Sequence, residues 1–231
     1  RLDPTLAKAY AYRGIAFGKL GNHEKEIADY HEAIESNPKD INSRYNRGVA
    51  YGEQDKYDKA IVDFTTVIET NPDDVDSYRH RGIAYSLLSQ FTKAISDYTE
   101  AIRLKPNNAD TFTNRGKAYL ETGKHNDAIA DFSKAISIQS DNFESYRNRG
   151  VAYAKLDMLD EAIADFTTAI KLKPSDVKSY LTRSNAYLKQ KKYEQAIADL
   201  TKVLRNEPQA IEAYGSRSEA YLQQGEFLKA I

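Results

Sequence analysis

Apolar and polar positions recur together along this 231-residue chain with a fixed period of 34 residues. From the second period on, one fixed position carries an alanine followed by isoleucine, and in most of these periods an aromatic residue stands four positions after the alanine. Arginine recurs at its own fixed position, and it is followed at once by glycine or serine and four positions later by an aromatic residue. A period of this size indicates a stack of similar units that bury their apolar faces against one another.

The six prolines mark the boundaries of the repeats, because a proline ends a helix. They occupy one position of the period, which Ser140 fills once. We expect one array over 1–231, with repeats at about 4–37, 38–71, 72–105, 106–139, 140–173 and 174–207 and a partial repeat at 208–231. The chain starts with Arg1, in the tail of a repeat, and stops at Ile231, early in the expected second helix of the seventh repeat. We therefore expect a fragment of a longer chain, with end-to-end self-association as one possible property.

Each repeat is predicted to contain two helices, A and B. In the third repeat we place helix A at Val75–Leu87 and helix B at about Thr92–Leu104. Asp73 or Asp74 is expected to cap helix A, because a short acidic side chain accepts hydrogen bonds from free backbone N–H groups. Glycines are expected at the turn between the two helices, where a positive φ is often needed. These glycines are Gly21, Gly123 and Gly225.

These positions resemble the tetratricopeptide repeat over the whole chain. The third repeat carries the pattern as Tyr78, Arg81, Gly82, Tyr85, Ala94, Tyr98 and Pro106. Two departures stand out: arginine replaces the usual leucine in every repeat, and the chain has no tryptophan. The resemblance implies an all-α fold, a right-handed superhelical solenoid of antiparallel helix pairs, with the A helices lining a concave groove and the B helices forming the convex back.

The recurring arginines and aspartates are predicted to form a structural ladder rather than a binding site, because a residue present in every repeat is usually part of the scaffold. The arginine stem would pack on aromatic rings and its guanidinium would meet a carboxylate. For Arg149 the partner is either Asp165 in the same repeat or Asp131 one repeat back, and we favour the latter. The ladder residues are Arg13, Arg47, Arg81, Arg115, Arg149, Arg183, Arg217, Asp29, Asp63, Asp97, Asp131, Asp165 and Asp199.

Composition narrows the classes of function that we expect for this chain. The net charge of -1 gives no electrostatic footprint for nucleic acid, and no run of 18 apolar residues is present that would insert into a membrane. Without cysteine, and with histidines that do not suggest a catalytic triad, we expect neither an enzyme nor a metal site nor a cofactor. His23 is interpreted as a substitute for the aromatic residue found at Tyr57. The compartment is open, with the cytoplasm favoured.

The residues that vary between repeats on the A-helix face are the candidate binding residues. In the family this face is lined by positions one, two and five before the repeated arginine and two after it. Asparagine there can bond both the N–H and the C=O group of an extended peptide. The predicted peptide-binding residues, centred on Asn114, are Asn46, Arg79, His80, Asn114, Lys117, Arg147 and Asn148.

The function predicted from this pattern is a non-catalytic scaffold that binds a peptide segment of a partner protein in its groove. A preformed groove loses little entropy on binding, which suits a peptide ligand. Two alternatives stay open: a substrate-recruiting arm of a larger enzyme, and an array that associates with itself through its ends. The sequence identifies neither the partner nor the pathway.

Overall fold

The computed structural model of the protein describes residues 4–230, which form helices joined by short turns and contain no strand. Arg1, Leu2, Asp3 and Ile231, on which the expectation of truncated end repeats partly rests, lie outside these residues. The all-α fold of antiparallel helix pairs is confirmed. The helices are α1 Pro4–Lys19, α2 His23–Ser36, α3 Ile41–Glu53, α4 Tyr57–Thr70, α5 Val75–Leu87, α6 Phe91–Leu104, α7 Ala109–Glu121, α8 His125–Ile138, α9 Phe143–Lys155, α10 Leu159–Leu172, α11 Val177–Lys189, α12 Tyr193–Asn206 and α13 Ile211–Gln223, followed by a 3-10 turn at Phe227–Lys229.

The chain divides into two compact units, the first ending at Ala118 and the second starting at Tyr119. In the first unit α1, α3 and α5 are the A helices of repeats one to three, and α2, α4 and α6 are their B helices. In the second unit α9 and α11 are A helices, and α10 and α12 are the B helices that follow them. Helices neighbouring in sequence pack against each other within each unit, which is how such repeats bury their apolar faces.

Helices A and B of one repeat approach closely where glycine on helix A meets an aromatic ring on helix B. A Cβ atom on Gly82 would lie 2.7 Å from the ring of Tyr98, and one on Gly150 would lie 2.7 Å from the ring of Phe166. Neither distance is possible for a real side chain, so glycine is required for this approach. The rings of Tyr98 and Phe166 are each only 1% exposed. The glycine and the ring thus form part of the core in these repeats, and in the sixth repeat the fully buried Ser184 and Leu200 take their places.

Side chains on helix A and in the turns set the helix boundaries. Asp74 accepts a hydrogen bond from the N–H of Ser77 and is the N-cap of α5, as one of the two predicted candidates. Helix A of the third repeat has the predicted bounds, Val75–Leu87, whereas helix B starts at Phe91, one residue before the predicted start. Gln90, the N-cap residue of α6, makes no side-chain hydrogen bond that would cap this helix.

The turn between helices A and B needs a left-handed residue in every repeat that the structure describes. Glycine supplies it at the three predicted positions, with φ between 70° and 76°. The same position is filled elsewhere by residues with a Cβ atom, for which this conformation is unfavourable. These are Asp55, Ser89, Asp157 and Lys191, with φ between 57° and 61°.

The repeated arginines on helix A hold the repeated aspartates on helix B. Arg47 Nε donates to Asp63 Oδ2 at 2.8 Å and Arg47 Nη2 donates to Asp63 Oδ1 at 2.7 Å, a two-bond contact of matched geometry. The hydrogen bond with Asp63 raises the pKa of Arg47 above its usual range. The same contact joins Arg13 with Asp29, Arg81 with Asp97, Arg149 with Asp165, and Arg183 with Asp199.

The preference for an aspartate one repeat back was wrong, since Arg149 pairs with Asp165 of its own repeat. The remaining guanidinium nitrogen explains the error, because it does reach the preceding B helix. Arg149 Nη1 donates to Ser133 Oγ at 2.9 Å, and Arg81 Nη1 donates to Thr65 Oγ1 at 3.0 Å. Arg81, Arg149 and Arg183 therefore link their own repeat through charge and the previous repeat through a hydroxyl group, whereas Arg47 Nη1 lies 3.1 Å from His31 Nδ1 of the previous repeat.

Arg115 and Arg217 also reach back to a threonine on the preceding B helix. Arg115 Nη1 donates to Thr99 Oγ1 at 3.0 Å, and its guanidinium lies over the ring of Phe112. Arg217 lies over the ring of Tyr214, with Nη1 3.5 Å from Thr201 Oγ1. Asp131 is buried on α8.

Replacing Asp63 with alanine should lower the free energy of unfolding by about 3–5 kcal/mol, because it leaves the Arg47 charge buried without a partner. Side-chain exposure is 13% for Arg47 and 3% for Asp63. Asp29→Ala is the matched control and should have a smaller effect, since Arg13 is 59% exposed and can turn to water. Urea denaturation followed by circular dichroism measures both.

A second variant separates loss of the pair from loss of packing. In Arg47→Leu/Asp63→Ala no charge is stranded, and leucine is the residue that the tetratricopeptide pattern usually has at this position. We expect most of the stability lost in Asp63→Ala to return. Equal destabilisation by Asp63→Ala and Asp29→Ala would show that the ion pair does not hold the helices together.

Candidate functional site

A cavity recurs at one place in the repeats, between helices A and B of one repeat and helix A of the next. We call it a notch and number it by the repeat that supplies both helices. The first notch lies among α1, α2 and α3, the second among α3, α4 and α5, and the fifth among α9, α10 and α11. Their volumes are about 430, 210 and 330 Å³. Equivalent positions of the repeat line all three, so the notches differ by side chain and not by backbone.

The second notch is apolar. It is lined by Val49, Ile83, Leu87 and the ring of Phe64, and Glu53 is the one charged side chain among its described lining residues. Leu87 is 56% exposed, so an apolar surface faces the opening. Its volume of about 210 Å³ suits one apolar side chain of a ligand better than a whole small molecule.

His80 forms part of the second notch and behaves as an aromatic residue. Its ring stacks on Phe64 with centroids 5.6 Å apart and meets the edge of Tyr45 at 5.7 Å. Burial, with a further effect of the neighbouring Arg79, lowers the pKa of His80 to about 4. His80 is therefore neutral at pH 7, and one Arg79 Nη atom lies 3.0 Å from its Nε2. The notch thus has a polar edge without a charge on the ring.

The fifth notch combines basic and polar side chains with an apolar lining from Val151, Ala154, Ala186 and the ring of Phe166. Lys155 and Lys189 line it together with Thr182 and Asn185, at positions where the second notch has Glu53, Leu87, His80 and Ile83. The ring of Phe166 matches that of Phe64. The two lysines favour an acidic group of a ligand, whereas the second notch favours an apolar one.

The first notch contains acidic groups. Glu26 stands where the later repeats have alanine, and Glu53 projects from the end of α3. A carboxylate at this tightly packed position would be expected to loosen the repeat or to pair with an arginine. Glu26 remains buried, at 8% exposure, and contacts His23 and Tyr30 instead, while Arg13 is bound to Asp29. Burial and the adjacent Glu26 raise the pKa of Tyr30 above its usual range.

The predicted binding residues of the first unit lie on or beside these cavities to different degrees. Asn46 lines the first notch and also a cavity of about 330 Å³ beside Tyr12. Arg79 pairs with Asp76 at 3.1 Å, on the same helix as His80. Asn114 and Lys117 are half-buried on α7. They remain predicted binding residues.

The two predicted binding residues of the second unit, Arg147 and Asn148, differ in whether their donor atoms are already hydrogen-bonded. Arg147 Nη1 donates to both carboxylate oxygens of Asp176, at 3.1 and 3.2 Å, so a ligand must compete for it. Burial raises the pKa of Asp176, but hydrogen bonds from Ser179 and the charge of Arg147 outweigh this and lower it below the usual value. Asn148 Nδ2 is buried and has no hydrogen-bond partner among the described residues. Asn148 therefore has an unused donor, but this nitrogen is closed to solvent, and the side chain would have to move before it could bond a ligand.

Sequence reasoning missed one position that matters for the notches, the sixth residue after the repeated arginine. It varies in charge and size between repeats, and that variation was the available signal. The residues at this position that line the three notches are Lys19, Glu53, Leu87, Lys155 and Lys189.

The stacked helix pairs and their notches define a repeat protein of the scaffold class. The family comparison agrees along nearly the whole chain: matches described as "Tetratricopeptide repeat" cover residues 7–40, 41–74, 143–176 and 181–231, and one described as "TPR repeat" covers 87–123 and 116–157. The chain belongs to the tetratricopeptide repeat family. A comparison with curated protein sequences gave no match.

Solved structures show the same fold at low sequence identity. A tetratricopeptide repeat protein from Parabacteroides merdae ATCC 43184 has a TM-score of 0.80 and 20% identity, over 98% of this chain and 90% of its own. Pseudomonas aeruginosa pilF has a TM-score of 0.77 and 16% identity, over 93% and 98%. YrrB, described as a TPR protein with an unusual peptide-binding site, has a TM-score of 0.69 and 20% identity, over 81% and 97%. No helix among the described residues is long and apolar enough to cross a membrane.

Replacing Glu26 with alanine should raise the melting temperature of the protein, measured with a chelator present to remove metal ions. The change removes a buried carboxylate next to Glu53 and installs the residue that Ala60 provides in the next repeat. Burying a charge without a cationic partner is unfavourable, and this outweighs the lost contacts with His23 and Tyr30. Thermal unfolding in a chelator-containing buffer measures the effect, and Glu24→Ala, on the same helix but exposed, is the control. An unchanged or lower melting temperature for Glu26→Ala would contradict this account of the first repeat.

Proposed function

We propose that this chain is a non-catalytic scaffold that binds a segment of a partner protein along its A-helix face. The fold is that of protein-interaction scaffolds. The observation that supports peptide binding is the apolar second notch with its exposed Leu87. Exposed apolar surface bordered by polar groups is typical of interaction sites. YrrB, similar in fold, is described as having a peptide-binding site.

The second notch would receive an apolar side chain of the partner. Val49, Ile83 and Leu87 supply its apolar lining, and the neutral ring of His80 adds no charge that would have to be desolvated. Asn46, which lines the neighbouring first notch, would bond the backbone of an extended segment that continues there. Burying one such side chain contributes about 1.5–3 kcal/mol.

In the second unit the fifth notch would receive an acidic side chain or a terminal carboxylate. Lys155 and Lys189 supply the charge, and Thr182 and Asn185 supply hydrogen-bonding groups beside them. Asn148, outside this notch, is kept as a further proposed contact. The two units are expected to select ligand residues of different chemistry. We keep Asn114, Lys117 and Arg147 as further proposed contacts within their own units.

A display library of random 12-residue peptides, panned against the 231-residue chain, would test this function. We expect enriched peptides to share an apolar anchor, an acidic residue or both. Ile83→Lys should weaken binding of the peptides with an apolar anchor by roughly tenfold or more, as measured by fluorescence anisotropy. Lysine is tolerated at this position of the repeat, as Lys117 shows.

Lys155→Leu/Lys189→Leu is the matched variant in the second unit, since Leu87 shows that leucine fits there. It should weaken only the peptides selected for an acidic residue. Circular dichroism would show that both variants are folded. If neither variant alters the affinity of any enriched peptide, or if no peptide is enriched, the A-helix face is not a peptide-binding surface.

A further inference from the structure

The first notch brings a histidine and two carboxylates together from two helices. His23 and Glu26 lie in the first turn of α2, and Glu53 is the last residue of α3. One ligand atom from each side chain can be chosen so that all three atoms lie within 4.8 Å of one another. His23 Nδ1 is 2.9 Å from Glu26 Oε2 and 3.5 Å from Glu53 Oε2. The three therefore form one cluster rather than separate surface groups.

These distances are close to those that a bound metal ion requires. Nitrogen and oxygen ligands bound at about 2.1 Å in a tetrahedral site lie roughly 3.4 Å from each other. The two measured separations lie on either side of that value. Small changes of side-chain torsion would therefore bring the three atoms onto one ion, and solvent would occupy its remaining position.

The charge of the cluster lacks a cation from the protein. Glu26 is buried, and among the described residues no lysine or arginine lies within ion-pair distance of Glu26 or Glu53. Arg13, the cation of this repeat, is bound to Asp29. Lys19 lines the notch but is exposed to solvent. A buried carboxylate in this situation favours a cation from outside.

The chain provides the space for this cluster in one repeat. Gly18 leaves the room that the Glu26 carboxylate occupies, since a Cβ atom there would make this carboxylate shift. In the fourth repeat the equivalent of His23 is His125, but Ala128 and Lys155 replace the two carboxylates. Only the first of these two histidines therefore has a full ligand set among the described residues.

We propose that His23, Glu26 and Glu53 bind one divalent transition-metal ion, of the Zn²⁺ type, and thereby join the first and second repeats. One imidazole and two carboxylates suit such an ion. Ca²⁺ and Mg²⁺ prefer six or more oxygen ligands and would bind more weakly. The expectation of no metal site, made from the sequence, is replaced by this proposal.

Isothermal titration of Zn²⁺ into the tag-free, metal-stripped 231-residue chain tests the site. We expect one ion per chain, with affinity reduced about tenfold or more in His23→Phe and in Glu53→Gln. Phenylalanine is the residue at the equivalent position Phe91, so His23→Phe is compatible with the fold. Zn²⁺ should also raise the melting temperature of the parent protein, and Mg²⁺ should not.

His125→Phe is the matched control, because it removes the equivalent histidine without touching the cluster. It should bind Zn²⁺ as the parent does, as should His31→Gln, which removes the exposed histidine near Glu35. Loss of binding confined to His23→Phe and Glu53→Gln, in variants with the parent's circular dichroism spectrum, supports the site. Absence of binding at millimolar Zn²⁺, or equal weakening by His125→Phe and His23→Phe, would overturn it.

Discussion

The close approach of helix A to helix B in each repeat is the constraint on which the other features depend. It is possible because a glycine on helix A leaves room for a ring on helix B, as Gly82 does for Tyr98. In the sixth repeat Ser184 stands at the glycine position opposite the smaller Leu200, and Arg183 there reaches Asp199 in the same way. The ion pairs thus form beside a close contact that uncharged residues of matched size provide.

This fixed packing leaves the notches free to differ. The glycine, the ring and the ion pair hold the backbone of each repeat. The ring also lines the notch, but most of the other lining positions take no part in that contact. Ile83 and Leu87 in one notch, and Asn185 and Lys189 in another, stand at equivalent places with different chemistry. A single repeat geometry can therefore present an apolar cavity and a basic one without a change of fold.

The sequence predicted what repeats and failed where the answer depended on contacts between helices. The period was sufficient for the fold, for helix A at Val75–Leu87 and for the positive φ at Gly21. It was insufficient to choose between Asp165 and Asp131 for Arg149, because both stand at the same position of the period. The binding role of the predicted groove residues cannot be read from their spacing, since it depends on a ligand. The cluster around His23 was missed because its third member, Glu53, comes from the next repeat.

The first repeat shows how regular pairing makes one irregular residue important. In each described pair the arginine gives two of its nitrogens to the aspartate of its repeat, so no cation is left for another carboxylate nearby. Glu26 adds such a carboxylate at a position where alanine is the rule. Because Arg13 is already bound, Glu26 has only His23 and Tyr30 as polar partners in its own repeat. The same pairing that makes the repeats uniform thus leaves this negative charge to be neutralised by a group from outside the chain.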